Sequence, residues 1–412
     1  MIKIKLENPK QVEKEYFEKI SSKLIKRITC VKKAIDHLNG FPVNIGVGEI
    51  DFIKNATISI IKEIDPDNEI RVGKKYSTRD FNADVYTTSL NTYIQSNNNL
   101  NNAQLTRISN LFNKLLLNDS VKLKRLLKCN ASQLKNTSNE FTLGLTLPDD
   151  LFYIKLAFNY KQHSEIANLV REFFREKNFI EYCPYCNLDK IKYIADSKEN
   201  AAASHDLDHF FDKARFPLLC YSIYNLVPSD TTCNQTNKGT IEFTNDYHLN
   251  PYLDGFNKSL IFTSVLSGVR NPRYKVVLKS EVNQTSPEYK RIFGKYSHPD
   301  DKSFGNVNAF KLKARYEDET HQALFIASKL DLHDKGYLYS ITKYFKLLAK
   351  GKLSDSYMKY YEYTFATPFD EVNFQNFKYA KFNRDLHDQY FDLLFGDNKS
   401  MKKRLEYIFY KK

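Results

Sequence analysis

Cys183-Pro-Tyr-Cys186, joined further along by Asp230-Thr-Thr-Cys233, constrains this chain more than any other feature. Thiolates at that spacing imply a metal, and a metal pins two distant segments together whatever the rest of the chain does. Three thiolates are on offer, Cys183, Cys186 and Cys233, with Asp230 at the spacing of a fourth ligand. A carboxylate ligates zinc at about 2.0 to 2.2 Å, so a structural Cys3Asp zinc site is expected, with His205 or a water as substitutes for Asp230. The competing reading is a knuckle that holds no metal and persists by packing. Cys30 and Cys129 are solitary and Cys220 sits in the apolar run Phe216-Pro-Leu-Leu-Cys-Tyr221, so all three are read as packing residues.

Between the two cysteine segments lie Asp208-His209 and Asn225, with Asn234 directly after Cys233. Phosphodiester hydrolysis needs a nucleophilic water, an acceptor for its proton, and positive charge beside the scissile phosphate. His209 is the candidate base, since imidazole titrates near neutrality. Asp208 offers an anionic oxygen and Asn234 a neutral one, which suits a hard, largely hydrated Mg²⁺ or Mn²⁺. Successive residues of a strand face opposite ways, so Asp208 and His209 share a pocket only if an irregularity re-aims one of them. Lys213, Arg215 and Lys238 flank the motif as candidate phosphate-binding cations, and each is equally well a solvated surface residue.

The residues His205-Asp-Leu-Asp-His209-Phe-Phe-Asp-Lys213 and Asn225 through Gly239 resemble the HNH endonuclease family, whose strand-loop-strand-helix core is called ββα-metal. The resemblance covers about 183–255, and His248-Leu-Asn-Pro-Tyr-Leu-Asp254 is similar to the downstream part of larger bacterial members. It implies His209 as general base, Asp208 and Asn234 as metal ligands, and Asn225 as the residue that holds the interstrand loop through backbone groups. Asparagine at 234 follows the H-N-N variants. The knuckle departs from the family's paired CxxC, since Asp230 stands where the second pair has cysteine. The chain is most similar to HNH subunits of phage-defence systems that pair a nuclease with an ATPase. DNA, and an ATPase or other defence-system protein, are therefore the implied partners, and an anti-phage or restriction effector is the implied role.

Composition agrees with a polyanion partner: 62 Lys and Arg against 49 Asp and Glu give a net charge of +13. Lysine-rich coding bias produces the same excess without any such partner. A 42% hydrophobic and 14% aromatic content supports packed cores. No stretch approaches the roughly 18 to 20 apolar residues that cross a bilayer, and Met1-Ile-Lys-Ile-Lys-Leu-Glu7 lacks the features of a secretory signal. A cytoplasmic protein with reduced cysteines, away from the membrane, is the expectation. A reading from another class competes with the enzyme: a zinc-stabilised nucleic-acid-binding module without turnover. Such a module has no need of a base beside a metal carboxylate, which favours the enzyme.

The expected fold is α+β and mainly helical, with a ββα-metal core and zinc knuckle flanked by helical regions. Three consecutive regions are expected: 1–160 as an α+β segment of unassigned role, 161–256 as the nuclease domain, and 257–412 as mainly helical. Val12, Tyr16, Ile20, Leu24, Ile28, Val31, Ile35 and Leu38 recur at helical spacing, with Asn8 as cap and Pro9 at the first position. The lysines of the opposite face read as solvated. Further helices are expected at 111–127, 164–177, 317–330, 337–350, 353–363 and 402–410, and a strand at 274–278. The tract at 96–102 reads as a loop. The many aromatics of the C-terminal region read as core.

Overall fold

A computed structural model describes residues 1–38, 102–145, 165–177, 179–191, 206–267, 273–294, 305–332, 355–368 and 370–395, with scattered positions at 150–160 and 337–343. The expected helix at 402–410, most of that at 337–350, His205 and nearly all of the tract at 96–102 lie outside the described residues.

In chain order the described elements are α1 (Pro9–Leu38), α2 (Asn102–Leu127), α3 (Leu134–Thr142), α4 (Glu165–Lys177), β1 (Asp206–His209), β2 (Leu226–Ser229), a π-helix (Thr232–Lys238), β3 (Ile261–Ser267), β4 (Arg273–Lys279), α5 (Pro287–Phe293), α6 (Asn306–Ala309), α7 (Leu312–Glu317), α8 (Thr320–Leu332), α9 (Asp355–Phe365) and α10 (Ala380–Phe395). Two two-stranded sheets, β1–β2 and β3–β4, stand among the helices, so the protein is mainly helical with a minor β component.

The described chain forms two compact units that interleave in sequence. One comprises Met1–Lys5, Asn178–Asp208 and Val227–Lys412; the other comprises Leu6–Lys177 and His209–Leu226. The reading from sequence has three consecutive regions instead.

The helical unit is built on α1, which packs on α2 and α4. Val12, Tyr16, Ile20, Leu24, Ile28, Val31 and Ile35 are all buried, as their three- and four-residue spacing requires of one helix face. Tyr16 meets Phe173 and Phe174 of α4 edge-on and donates its hydroxyl to the Tyr221 carbonyl at 2.8 Å. One lysine of the basic face of α1 pairs with α4, Lys19 reaching Glu172 at 3.1 Å and Glu176 at 2.9 Å, and in the reverse sense Lys177 of α4 pairs with Glu15 of α1. α2 is two helical pieces, because Asn118, Asp119 and Ser120 take the left-handed conformation at φ of 52, 53 and 58°. Asn and Asp visit that region at lower cost than other side chains, which places the kink at these residues.

In the other unit β3 and β4 pair antiparallel from Ile261↔Lys279 to Ser267↔Arg273. The outer edge of β3 is closed by side chains of α10. Asp385 accepts from the Phe262 N–H at 2.9 Å, and Gln389 both accepts from and donates to the Ser264 backbone. An edge satisfied in this way is not a template for further strand pairing. The Phe262, Tyr316 and Phe382 rings pack on one another beneath the sheet, so these aromatics are core. Gly305 admits no side chain, since a Cβ would lie 2.3 Å from the Gly294 nitrogen. Among the described residues no helix is long and apolar enough to cross a membrane.

Candidate metal centre

The first half of the metal cluster is a tight loop. An isolated bridge pairs Tyr182 with Lys190. Within it the Cys183 N–H donates to the Asp189 carbonyl at 2.9 Å, and the Asn187 N–H donates to the Cys183 carbonyl at 2.7 Å. Asn187 sits at φ 57°, turning the chain back after Cys186. The second half comes from the start of the π-helix. Asp230 Oδ1 accepts the Cys233 N–H at 2.9 Å, which leaves Oδ2 facing Cys186 Sγ at 3.5 Å. Asp230 thus caps the helix with one oxygen and completes the cluster with the other.

Ligating atoms of Cys183, Cys186, Asp230 and Cys233 all lie within 4.8 Å of one another, and the three thiols are fully buried. Sulfurs around tetrahedral zinc stand about 3.8 Å apart for Zn–S bonds of about 2.3 Å, so the cluster needs little contraction. Three soft sulfurs and one carboxylate form a donor set suited to zinc and poorly suited to magnesium. The residues present fit a metal of the zinc type.

Electrostatics divides the thiols. Burial and the neighbouring sulfurs push Cys183 up, and burial is also the main reason that Cys233 is raised. Burial acts on Cys186 in the same sense, but hydrogen bonds from the other two thiols and the Arg315 charge outweigh it and hold Cys186 well below the ordinary thiol range.

Asp208 lies in the same unit and is buried. Lys238 Nζ contacts its two oxygens at 2.6 and 2.8 Å, and Tyr185 donates its hydroxyl to Oδ2 at 2.5 Å. The Lys238 ammonium also stands 4.9 Å from the centre of the Phe243 ring. Lys238 is therefore an interior cation bound to a carboxylate, whereas sequence places it among the phosphate-binding flanks. The π-helix ends there: the Gly239 N–H donates to the Asn234 carbonyl at 2.9 Å, five residues back. Asn234 itself donates from Nδ2 to Asp206 Oδ2 at 3.2 Å, and Gln235 donates to the same oxygen at 2.9 Å. Asp206 and Asp208 are two apart on β1, which puts both on one face of the strand. In this arrangement Asp208 does not fit a divalent ion, because its oxygens are already held by an ammonium and a phenol.

His209 and Asn225 belong to the other unit. His209 is buried, with Nε2 3.1 Å from the Cys220 carbonyl and the Tyr160 ring edge-on at 4.6 Å. A carbonyl only accepts, so Nε2 carries the proton and the lone pair of the neutral ring is on Nδ1. Asn225 is fully buried and holds the loop between β1 and β2 through three backbone groups. Oδ1 accepts from Phe211 N at 2.7 Å, and Nδ2 donates to the Phe211 and Leu219 carbonyls at 3.1 Å each. Lys213 and Arg215 are exposed; the Lys213 ammonium donates to the Tyr160 carbonyl at 3.3 Å.

Tyr185, Asp189 and Arg315 are site residues that sequence reasoning passes over. Tyr185 stands inside the CxxC, where only the cysteines draw notice. Arg315 Nη1 donates to Cys233 Sγ at 3.2 Å across 82 positions of sequence, and no local signal marks it. No family model, curated protein or solved structure matches this chain.

Proposed function

We propose that the chain is a metal-dependent HNH-type endonuclease that hydrolyses DNA phosphodiester bonds and serves as an anti-phage or restriction effector. The observation that carries the reading is the hydrogen bond from His209 Nε2 to the Cys220 carbonyl, 3.1 Å long. It puts a proton on Nε2, so that in the neutral imidazole Nδ1 is the nitrogen that would accept a proton, as a hydrolytic base requires. Asn225, through its three backbone bonds, holds the loop that carries this carbonyl.

In this reading His209 takes the proton of the attacking water, and exposed Lys213 and Arg215 draw the DNA backbone toward the loop. Zinc held by Cys183, Cys186, Asp230 and Cys233 stabilises the segment that presents Asp208 and Asn234. Those two residues are the proposed holders of a Mg²⁺ or Mn²⁺ ion, whose positive charge would offset the negative charge of the phosphate oxygens. For Asp208 to serve, the Lys238 ammonium has to leave its carboxylate. DNA and a defence-system partner such as an ATPase are the proposed partners.

A second reading rests on that same ammonium. If Lys238 and Tyr185 hold Asp208 permanently, the motif is architecture, and the protein is a zinc-stabilised nucleic-acid-binding module without turnover. Plasmid incubated with zinc-loaded protein separates the two: cleavage that needs Mg²⁺ or Mn²⁺ and is lost in His209→Ala supports the enzyme, and DNA retardation without cleavage in either protein supports the module.

A further inference from the structure

Four anionic donors around one divalent ion leave a buried centre with a net charge of about −2, and a buried charge of that size requires a counter-charge nearby. The structure holds one in place. α7 is anchored by Tyr316, which is fully buried, donates its hydroxyl to the Cys186 carbonyl at 2.6 Å and packs its ring on Phe262 and Phe382. The residue before it, Arg315, is thereby set against the cluster. Its Nη1 donates to Cys233 Sγ at 3.2 Å and its Nη2 to Asp189 Oδ2, so the planar fork bridges a metal-ligating sulfur and a carboxylate from the CxxC loop. The Leu188 N–H adds a weaker bond to Cys186 Sγ at 3.4 Å.

We propose that Arg315 is the outer-sphere cation of the metal centre: it neutralises the Cys3Asp cluster, sets its metal affinity and ties α7 to the knuckle. The inference rests on the reading that the cluster binds zinc and is independent of any nuclease activity. Arg315 is a positioning residue, acting on the metal through Cys233.

The test is competition for Zn²⁺ between a chromogenic chelator and the full chain, as wild type, R315M, R315K and Y316F, with Co²⁺ absorption reporting the ligand set. R315M keeps the stem and removes the charge. It is expected to bind zinc about 10- to 100-fold more weakly, the range typical for loss of an outer-shell partner, with an unchanged thiolate-to-cobalt charge-transfer band. R315K is expected to recover part of the loss, and Y316F, which removes a bond but no charge, to lose less than R315M. Zinc affinity in R315M equal to wild type overturns the proposal. A loss as large in R315K and Y316F as in R315M also overturns it, since packing rather than charge would then be responsible. A wild-type chain that takes up neither zinc nor cobalt overturns the cluster reading itself, whatever the variants do.

Discussion

Lys238→Met is the perturbation that discriminates most sharply between architecture and chemistry at Asp208. The ammonium and carboxylate are each only 5% exposed at the side chain and in direct contact at 2.6 Å. Removing one partner of such a pair leaves an uncompensated buried charge and costs about 3 to 5 kcal/mol. Tyr185 continues to donate to the carboxylate, and a hydrogen bond to a charged group is worth about 1.5 to 3 kcal/mol, so the lower part of the range is expected. The double variant Asp208→Asn with Lys238→Met carries neither charge and should recover most of the loss. A chain of two units has no single unfolding free energy, so the assay is native-state hydrogen exchange in peptides covering 206–209 and 232–238. If Asp208 is a metal ligand, a divalent ion can take the ammonium's place in Lys238→Met. Mg²⁺ or Mn²⁺ at a hundred times its dissociation constant should then restore about 2.7 kcal/mol of protection, with a much smaller effect on wild type. A loss below about 1 kcal/mol, the scale of an exposed pair, would refute the buried-pair reasoning. A full loss that no divalent ion reverses would refute the metal role of Asp208 and favour the binding module.

Cys186→Ser should lower zinc content from near one per chain and reduce soluble yield, because structural metal binding is part of the folding free energy; elemental analysis of purified protein checks this. Cys183→Ser should behave alike, and a well-folded variant of either with undiminished zinc contradicts the assigned ligand set. Asp230→Cys gives a four-thiolate donor set but loses the bond that the Cys233 N–H donates to Oδ1, worth about 1 kcal/mol as a cap. Its zinc affinity should rise while its metal-free stability falls, and chelator competition beside thermal melts in EDTA reads the two separately.

Much of the helical unit is legible because α1 writes its burial in one period: every apolar residue from Val12 to Ile35 at that spacing is inside. The same logic misses α10, whose face toward the β3 edge carries Asp385 and Gln389, polar residues engaged with strand backbone that no apolar periodicity would mark. It misses β3 as well, since Ile261-Phe-Thr-Ser-Val-Leu-Ser267 reads with little alternation and its last residues are exposed. The kink in α2 had a signal in Asn118-Asp-Ser120, outweighed by the leucines on either side. At the candidate site the donor set Cys183, Cys186, Asp230 and Cys233 is legible because ligand spacing is local within each half. The fate of Lys238 is not, because its environment is supplied by Tyr185 and Phe243 from other segments. Arg315 is hidden for the same reason: a guanidinium and a sulfur brought together by tertiary structure leave no pattern in either stretch of sequence.

The central claim, a phosphodiesterase with His209 as its base, is tested most directly by supercoiled plasmid incubated with the zinc-loaded wild-type chain and His209→Ala, each with Mg²⁺, Mn²⁺ or chelator, alone and with the proposed defence-system partner. Loss of a general base is expected to cost about 10²- to 10⁴-fold in rate. Nicked or linear product is expected from the wild-type chain only where Mg²⁺ or Mn²⁺ is present, and none from His209→Ala at equal DNA retention. Cleavage by His209→Ala at the wild-type rate, or none by the wild-type chain with metal and partner, would contradict it.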